Sequence, residues 1–237
     1  DWDPPVVVQS ARGDRYAAAI AALAAQGLVY PCDCSRAEIA RAASAPHEGE
    51  EVVYGGACRD LDPARPMKRA PALRVRVPGE VVAYEDGALG PFAQNLARDV
   101  GDFVLRRGDG VHAYQLAVVV DDAAMGITDV VRGADLLAST PRQIWLARAL
   151  GHAAPRYTHV PLVVAPGGAR LEKRTRGVTV RELRDQGASA EAIVGVMAAG
   201  LGLVEGAKPR TAREVAAEAA GRAVAWRRAP WALPARW

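Results

Sequence analysis

Cys32 and Cys34 are separated by one residue, and Cys58 follows Tyr54 by four, so three soft-metal ligands stand close together in the chain. Thiolates are the ligands Zn2+ prefers, and a structural zinc site takes a tetrahedron of ligands, so these sulfurs leave one position to fill. His47 lies in the same stretch and is one choice for that position on pattern alone. The competing reading makes the cysteines small apolar fillers of a reduced core. A disulfide framework fits poorly, because the count is odd and cysteines one residue apart bridge badly.

Arg132 offers a second chemistry. It ends the β-branched run of residues 128–131 and precedes Gly133, which puts a planar five-donor fork at the carboxyl edge of a strand. Open α/β sheets bind ligands at that edge, and such a fork suits a carboxylate; an ion pair with a neighbouring Asp at a turn is the alternative. Upstream, Tyr114 opens an apolar run that ends in Asp121-Asp122, a pair that reads as the capped or solvated end of a helix rather than a Mg2+ site. The third candidate is Gly167-Gly168 running into Arg170-Leu171-Glu172-Lys173-Arg174. Its cations could lie along a polyphosphate and offset charge that develops in nucleotidyl transfer, although a solvated basic loop has the same composition.

The elements that must position these groups follow from periodicity. Residues 14–28 carry apolar positions at helical spacing with Gly27 as a stop, and Ser35 caps a short helix reaching about Ala43. Leu73-Arg74-Val75-Arg76-Val77 alternates apolar with basic residues, the period of a half-buried strand. Residues 30–97 therefore read as a small, loop-rich mixed unit. Beyond Gly101 come a strand at 102–107, the apolar run 114–120, a strand at 128–131, an amphipathic helix started by Ser139-Thr140-Pro141, and a strand at 159–165. This rhythm is that of an α/β sheet. From Val180 the chain reads as helices at 180–186, 189–201 and 211–226.

Hydrophobic residues make up 50% of the 237 and charged residues 24%, which excludes a disordered or collagen-like chain. No apolar stretch approaches the ~18 residues of a membrane span. The formal charge of +3 is compatible with a nucleic-acid partner without requiring one. Asp1-Trp2-Asp3-Pro4-Pro5 has neither a basic n-region nor an apolar h-region, so the expected location is the cytoplasm, away from membranes.

Taken in order, YPCDCSRAEI (30–39), YGGACR (54–59), the long block from Asp102 to Gly151, YTHVPLV (157–163) and RLEKR (170–174) closely resemble one family. It is the glutamyl-Q tRNA(Asp) synthetases, short paralogues of glutamyl-tRNA synthetase within the class I aminoacyl-tRNA synthetases. The resemblance implies an α/β fold: a Rossmann-like nucleotide domain with an inserted zinc-binding subdomain and a C-terminal helical segment. It divides the chain into 1–29 (remainder of the first catalytic half), 30–97 (zinc-containing insert), 98–176 (second catalytic half with the KMSKS-like loop) and 177–237 (helical segment).

By the same resemblance, Cys32, Cys34, Tyr54 and Cys58 are the zinc ligands, the tyrosine oxygen completing the tetrahedron. Tyr114 and Arg132 are the glutamate-binding pair. Arg170, Leu171, Glu172, Lys173 and Arg174 occupy the KMSKS position, with Lys173 the catalytic lysine on ATP. The implied reaction activates glutamate with ATP and Mg2+ as glutamyl-adenylate, then esterifies it to queuosine in the anticodon of tRNA(Asp), with the protein a monomer. Arg132 and Lys173 are then expected to face one cleft. Too little chain follows Arg174 for the large helical anticodon-binding part of the longer paralogue.

Two departures stand out. Glu172 replaces the loop's serine, which puts an anion where triphosphate would lie unless Arg170, Arg174 or Arg176 offsets it. Family members also begin with a strand leading into a HIGH-type motif and an early Arg for glutamate, and these 237 residues contain neither; His112 and His159 have no paired His and Gly. Two alternatives follow: a shortened, non-catalytic zinc-containing RNA-binding module, or glutamyl transfer to another acceptor.

Overall fold

Tyr16, Ile20 and Leu23 recur at helical spacing and form the buried face of α1 (Gly13–Ala25) in the computed structural model. The structure describes residues 2–42, 53–165, 179–221, 224 and 226–232. The predicted stop holds. Gly27 takes a φ of 71°, a left-handed conformation open to glycine at no steric cost, and its amide and that of Leu28 donate to Ala24 and Leu23 carbonyls.

The chain divides into two compact units, the first comprising Asp1–Tyr84, Phe92–Thr128 and Ala138–Pro155. It contains β1 (Val29–Cys32), α2 (Arg36–Ala42), β2 (Ala72–Val75), β3 (Val81–Asp86), β4 (Gly90–Asn95), α3 (Leu96–Asp99), β5 (Val104–Arg106), α4 (Tyr114–Met125) and α5 (Thr140–Ala149), while the tip of the β3–β4 hairpin, Glu85–Pro91, belongs to the second unit. Strand β2 is the centre of a three-stranded antiparallel sheet, with Tyr30 opposite Arg74 and Leu73 opposite Arg106. Leu23, Val75, Leu96, Leu105, Leu116 and Leu146 are wholly buried in this unit.

Two sequence expectations change here. The basic residues of the predicted strand at 73–77 do not simply face water: Arg74, in β2, is buried with its guanidinium 3.9 Å over the Tyr54 ring, and that of Arg76, just past β2, lies 4.8 Å over Tyr30. Long cationic side chains find aromatic faces there, which the alternation of the sequence does not reveal. Helix α5 is buried over the whole stretch from Thr140 to Ala147 rather than along one stripe. Gln143 is paired within the protein, donating to Gln115 at 2.7 Å, and Gln115 in turn donates to Ser139 at 3.1 Å.

The second unit comprises Glu85–Pro91, Asp129–Leu137 and Arg156–Trp237. In it β6 (Asp129–Gly133) pairs in parallel with β7 (Arg156–Val160), setting Arg132 opposite His159. The expected strand at 159–165 starts earlier, at Arg156, and breaks near Pro161, which has no N–H for a ladder. It resumes as β8 (Val163–Val164), paired in parallel with β9 (Trp231–Ala232). Helices α6 (Val180–Asp185) and α8 (Ala212–Ala219) open with capping boxes, Thr179/Glu182 and Thr211/Glu214, and Ser189 caps α7 (Ala190–Leu201). Helix α8 ends well before Trp226, the end that composition suggested.

Asp121 corrects a further expectation. It is not a solvated helix end but a buried anchor between α4 and the segment that starts α1: its carboxylate accepts from Gln9 at 2.9 Å, Arg12 Nε at 2.5 Å and Tyr16 Oη at 2.7 Å. Burial pushes against its ionisation, and these donors outweigh it, so its pKa lies below the ordinary carboxylate value. Asp121→Ala should therefore cost about 3 kcal/mol of unfolding free energy, because it strands a guanidinium and a phenol. A depressed folded pKa gives stability that is present above the unfolded pKa and lost as pH falls through the folded value. Urea unfolding across pH should show the wild-type advantage shrinking below about pH 4.

Candidate metal centre and carboxylate site

Strand β1 delivers Cys32, and the turn into α2 delivers Cys34. That helix starts with a reciprocal cap: Glu38 N–H donates to Ser35 Oγ at 3.1 Å, and Ser35 N–H donates to the Glu38 carboxylate at 2.6 Å. The Ser35 amide is the main reason the Glu38 pKa falls to about 2. Tyr54 and Cys58 come from the loop before β2. Backbone docking fixes Tyr54, which bridges to Gly101; that glycine has a φ of 69°, and a Cβ on it would sit 2.6 Å from the Tyr54 carbonyl oxygen.

The three sulfurs lie within 4.8 Å of one another, with Cys34 and Cys58 3.5 Å apart. A zinc tetrahedron with Zn–S bonds of about 2.3 Å has edges of about 3.8 Å, so the donor set fits a metal. Tyr54 Oη is 3.4 Å from Cys32 Sγ and accepts the Cys58 N–H at 2.8 Å. Among the described residues this is the one group of three or more His, Cys, Asp and Glu side chains close enough to share an ion. His47 lies outside the described residues.

Burial and the hydrogen bond shared with Cys58 push the Cys34 thiol up to about 11. Burial acts the same way on Cys32, but contacts with Tyr54, the Cys34 backbone and Arg74 overcome it and its pKa falls. The Tyr54 phenol is raised, chiefly by burial, and keeps its proton. Two cations serve the cluster. Arg74 covers Tyr54, and Arg65 places Nη2 3.4 Å from Cys58 Sγ while gripping buried Asp33 through both carboxylate oxygens, at 2.6 and 3.0 Å. These Arg65 bonds, with the Lys68 N–H, hold the Asp33 carboxyl well below the usual range. Asp33 stands between the two cysteines in sequence and could have been suspected; Arg65 carries no local signal.

Tyr114, 51% exposed, is the first residue of α4. It lines a cavity of about 730 Å3 within the first unit, together with Arg36, Arg74, Arg107 and His112. The imidazole of His112 is held toward its neutral form by burial and by the charge of Arg106.

In the second unit, Arg132 Nε donates to His159 Nε2 at 3.0 Å, and the guanidinium carbon lies 5.1 Å from the centre of the Tyr157 ring. His159 is wholly buried and its Nδ1 is 2.5 Å from Asp86 Oδ2. In the sequence His159 stands isolated. The signal was available in principle, since Tyr157 and His159 alternate onto one face of a strand that pairs with the one bearing Arg132. Arg170, Leu171, Glu172, Lys173 and Arg174 lie outside the described residues.

The chain belongs to the family described as "tRNA synthetases class I (E and Q), catalytic domain", whose model matches residues 1–221. Within that class its relatives are narrower. It is 54% identical over 186 residues to the glutamyl-Q tRNA(Asp) synthetase of Geobacter sulfurreducens, covering 78% of this chain and 59% of that protein. It is 50% identical over 194 residues to the protein of that name from Thiobacillus denitrificans, covering 81% and 63%, and 46% identical over 228 residues to that of Nitratidesulfovibrio vulgaris, covering 90% and 70%. The chain thus spans about three fifths of the first of these relatives. The crystal structure of a glutamate tRNA ligase from Elizabethkingia meningosepticum shares the fold, with a TM-score of 0.77 at 22% identity, over 98% of this chain and 53% of that one. Among the described residues no helix is long and apolar enough to cross a membrane.

The close contact at Gly101 yields a direct test. Gly101→Ala should lower the unfolding free energy by about 2 kcal/mol, since the new methyl meets backbone and the residue must keep a left-handed conformation. Urea denaturation read by tyrosine and tryptophan fluorescence measures it.

Proposed function

We propose that this chain carries the glutamate-activating chemistry of a glutamyl-Q tRNA(Asp) synthetase. The observation that supports this most is its 46–54% identity to proteins bearing that name. Arg132 grips a carboxylate of glutamate, with Tyr114 as its partner on the substrate. Glutamate then attacks the α-phosphate of ATP; a P–O bond to the glutamyl carboxylate forms and the bond to pyrophosphate breaks. Lys173, helped by Arg170 and Arg174, offsets the charge on the phosphates in the KMSKS-like loop formed with Leu171 and Glu172, and Mg2+ arrives with ATP. A hydroxyl of queuosine in the tRNA(Asp) anticodon takes the glutamyl group and adenylate leaves. No side chain forms a covalent intermediate, so the protein contributes positioning and charge. The division 1–29, 30–97, 98–176 and 177–237 belongs to the same reading, as do a monomeric state and a cytoplasmic location.

Cys32, Cys34, Tyr54 and Cys58 hold a structural Zn2+. Three thiolates on a divalent ion leave a net charge of −1, which Arg65, beside Cys58, and Arg74, over Tyr54, offset. About one zinc per chain is expected by elemental analysis, and Cys58→Ser should lose it, because a structural site needs all of its ligands. A metal-free wild type would reduce the cysteines to core packing.

Because the chain spans about three fifths of its Geobacter relative, the activity assay uses the complete gene product. Glutamate-dependent exchange of pyrophosphate into ATP should proceed without tRNA, and Arg132→Ala should abolish it while leaving the circular dichroism unchanged. Transfer of radiolabelled glutamate to queuosine-containing tRNA(Asp), and not to tRNA(Glu), identifies the acceptor; the opposite preference refutes it.

A further inference from the structure

We propose that His159, held in one tautomer by Asp86, is a positioning residue that sets the orientation of Arg132 for substrate carboxylate. This rests on the reading of Arg132 given above. The tautomer follows from bonding chemistry. Arginine Nε is only ever a donor, so His159 Nε2, 3.0 Å away, must be the acceptor and the ring proton must sit on Nδ1. That Nδ1–H then donates to Asp86 Oδ2 at 2.5 Å. Asp86 is fixed as an acceptor, because its other oxygen takes backbone N–H groups of Ala88, Leu89 and His159 at 3.1, 2.9 and 3.1 Å.

A histidine that merely fills a core needs its two nitrogens satisfied in any order. Here the order is imposed from both sides: a carboxylate that can only accept stands at Nδ1, and a guanidinium that can only donate stands at Nε2. Reversing the tautomer, or protonating the ring, would set N–H against N–H at Arg132. The guanidinium is constrained from three directions. Nε is held by His159, Nη2 points to the Leu136 carbonyl at 3.5 Å, and the plane lies over the Tyr157 ring, which itself stacks on the imidazole with an interplanar angle of 14°. Rotation about the last side-chain bonds of Arg132 is thereby fixed before any ligand arrives, so the entropy of ordering a long side chain is not charged to binding. Arg132 is only partly buried, which leaves it within reach of a ligand, whereas His159 and Asp86 are sealed behind it.

Two amides of different length separate the roles. His159→Asn can still donate to Asp86 but is too short to reach Arg132, whereas His159→Gln can place a carbonyl oxygen where Nε2 stands. In the pyrophosphate-exchange assay of the complete gene product, His159→Asn should raise KM for glutamate about tenfold or more, the worth of a hydrogen bond to a charged group. KM for ATP should stay near wild type. His159→Gln should keep KM for glutamate within about threefold of wild type. An unchanged KM for glutamate in His159→Asn, or an equal rise in both KM values, overturns the proposal. Arg132→Ala run alongside distinguishes the two levels: if it leaves KM for glutamate unchanged, the reading of Arg132 falls, and if it acts strongly while His159→Asn does not, only the role of His159 falls. If His159→Asn does not fold, Asp86→Asn carries the test, because its amide N–H can donate to Nδ1 and shift the ring proton to Nε2; the same selective rise in KM for glutamate is expected. Failure of both variants to fold makes the pair structural and overturns the proposal.

Discussion

A carboxylate taken out of water stays ionised inside a protein only where donors replace its hydration. Among the described residues four buried carboxylates meet that condition, and each ties together segments far apart in sequence. Asp33 takes the fork of Arg65. Asp102 accepts from Tyr30, Arg59 and the Val77 N–H at 2.7, 2.6 and 2.8 Å. Asp121 gathers Gln9, Arg12 and Tyr16, and Asp86 takes the imidazole of His159. Removing any of these carboxylates leaves buried donors unmatched, so the candidate sites inherit rigidity from the same pairs that hold the fold.

The cysteine cluster shows how this works for a soft-metal site. Hydrophobic burial alone would bring the three sulfurs close, since Tyr30, Cys32, Tyr54 and Cys58 form one core cluster. Burial also penalises thiolates, and a protein that needs them must supply positive charge nearby. Arg65 and Arg74 supply it, one beside Cys58 and one over Tyr54, and both are themselves anchored, by Asp33 and by the Asp102 carbonyl oxygen. The apparent surface alternation of β2 is therefore half of a charge-matching arrangement.

Around Arg132 the same logic runs through a neutral ring. An uncharged imidazole accepts at one ring nitrogen and donates at the other. Interposed between Asp86 and Arg132, it satisfies both and keeps the buried carboxylate from pairing with the guanidinium directly. Parallel pairing of β6 with β7 makes this possible, because it sets position 132 opposite position 159.

Local chemistry was legible in the chain itself. Gly27 ends α1, Ser35 caps α2 and Thr140-Pro141 starts α5, because these are contacts between near neighbours whose geometry the backbone fixes. Cys32, Cys34 and Cys58 were visible as candidates by residue type, as was Arg132 by its place before a glycine. What surrounds them was not. Arg65 beside Cys58, Arg74 over Tyr54, Gln9 and Tyr16 on Asp121, and Asp86 behind His159 are pairings across tens of residues of chain, set by strand register and by which face each element buries. Periodicity carries no record of such partners; only the folded chain decides which charge meets which.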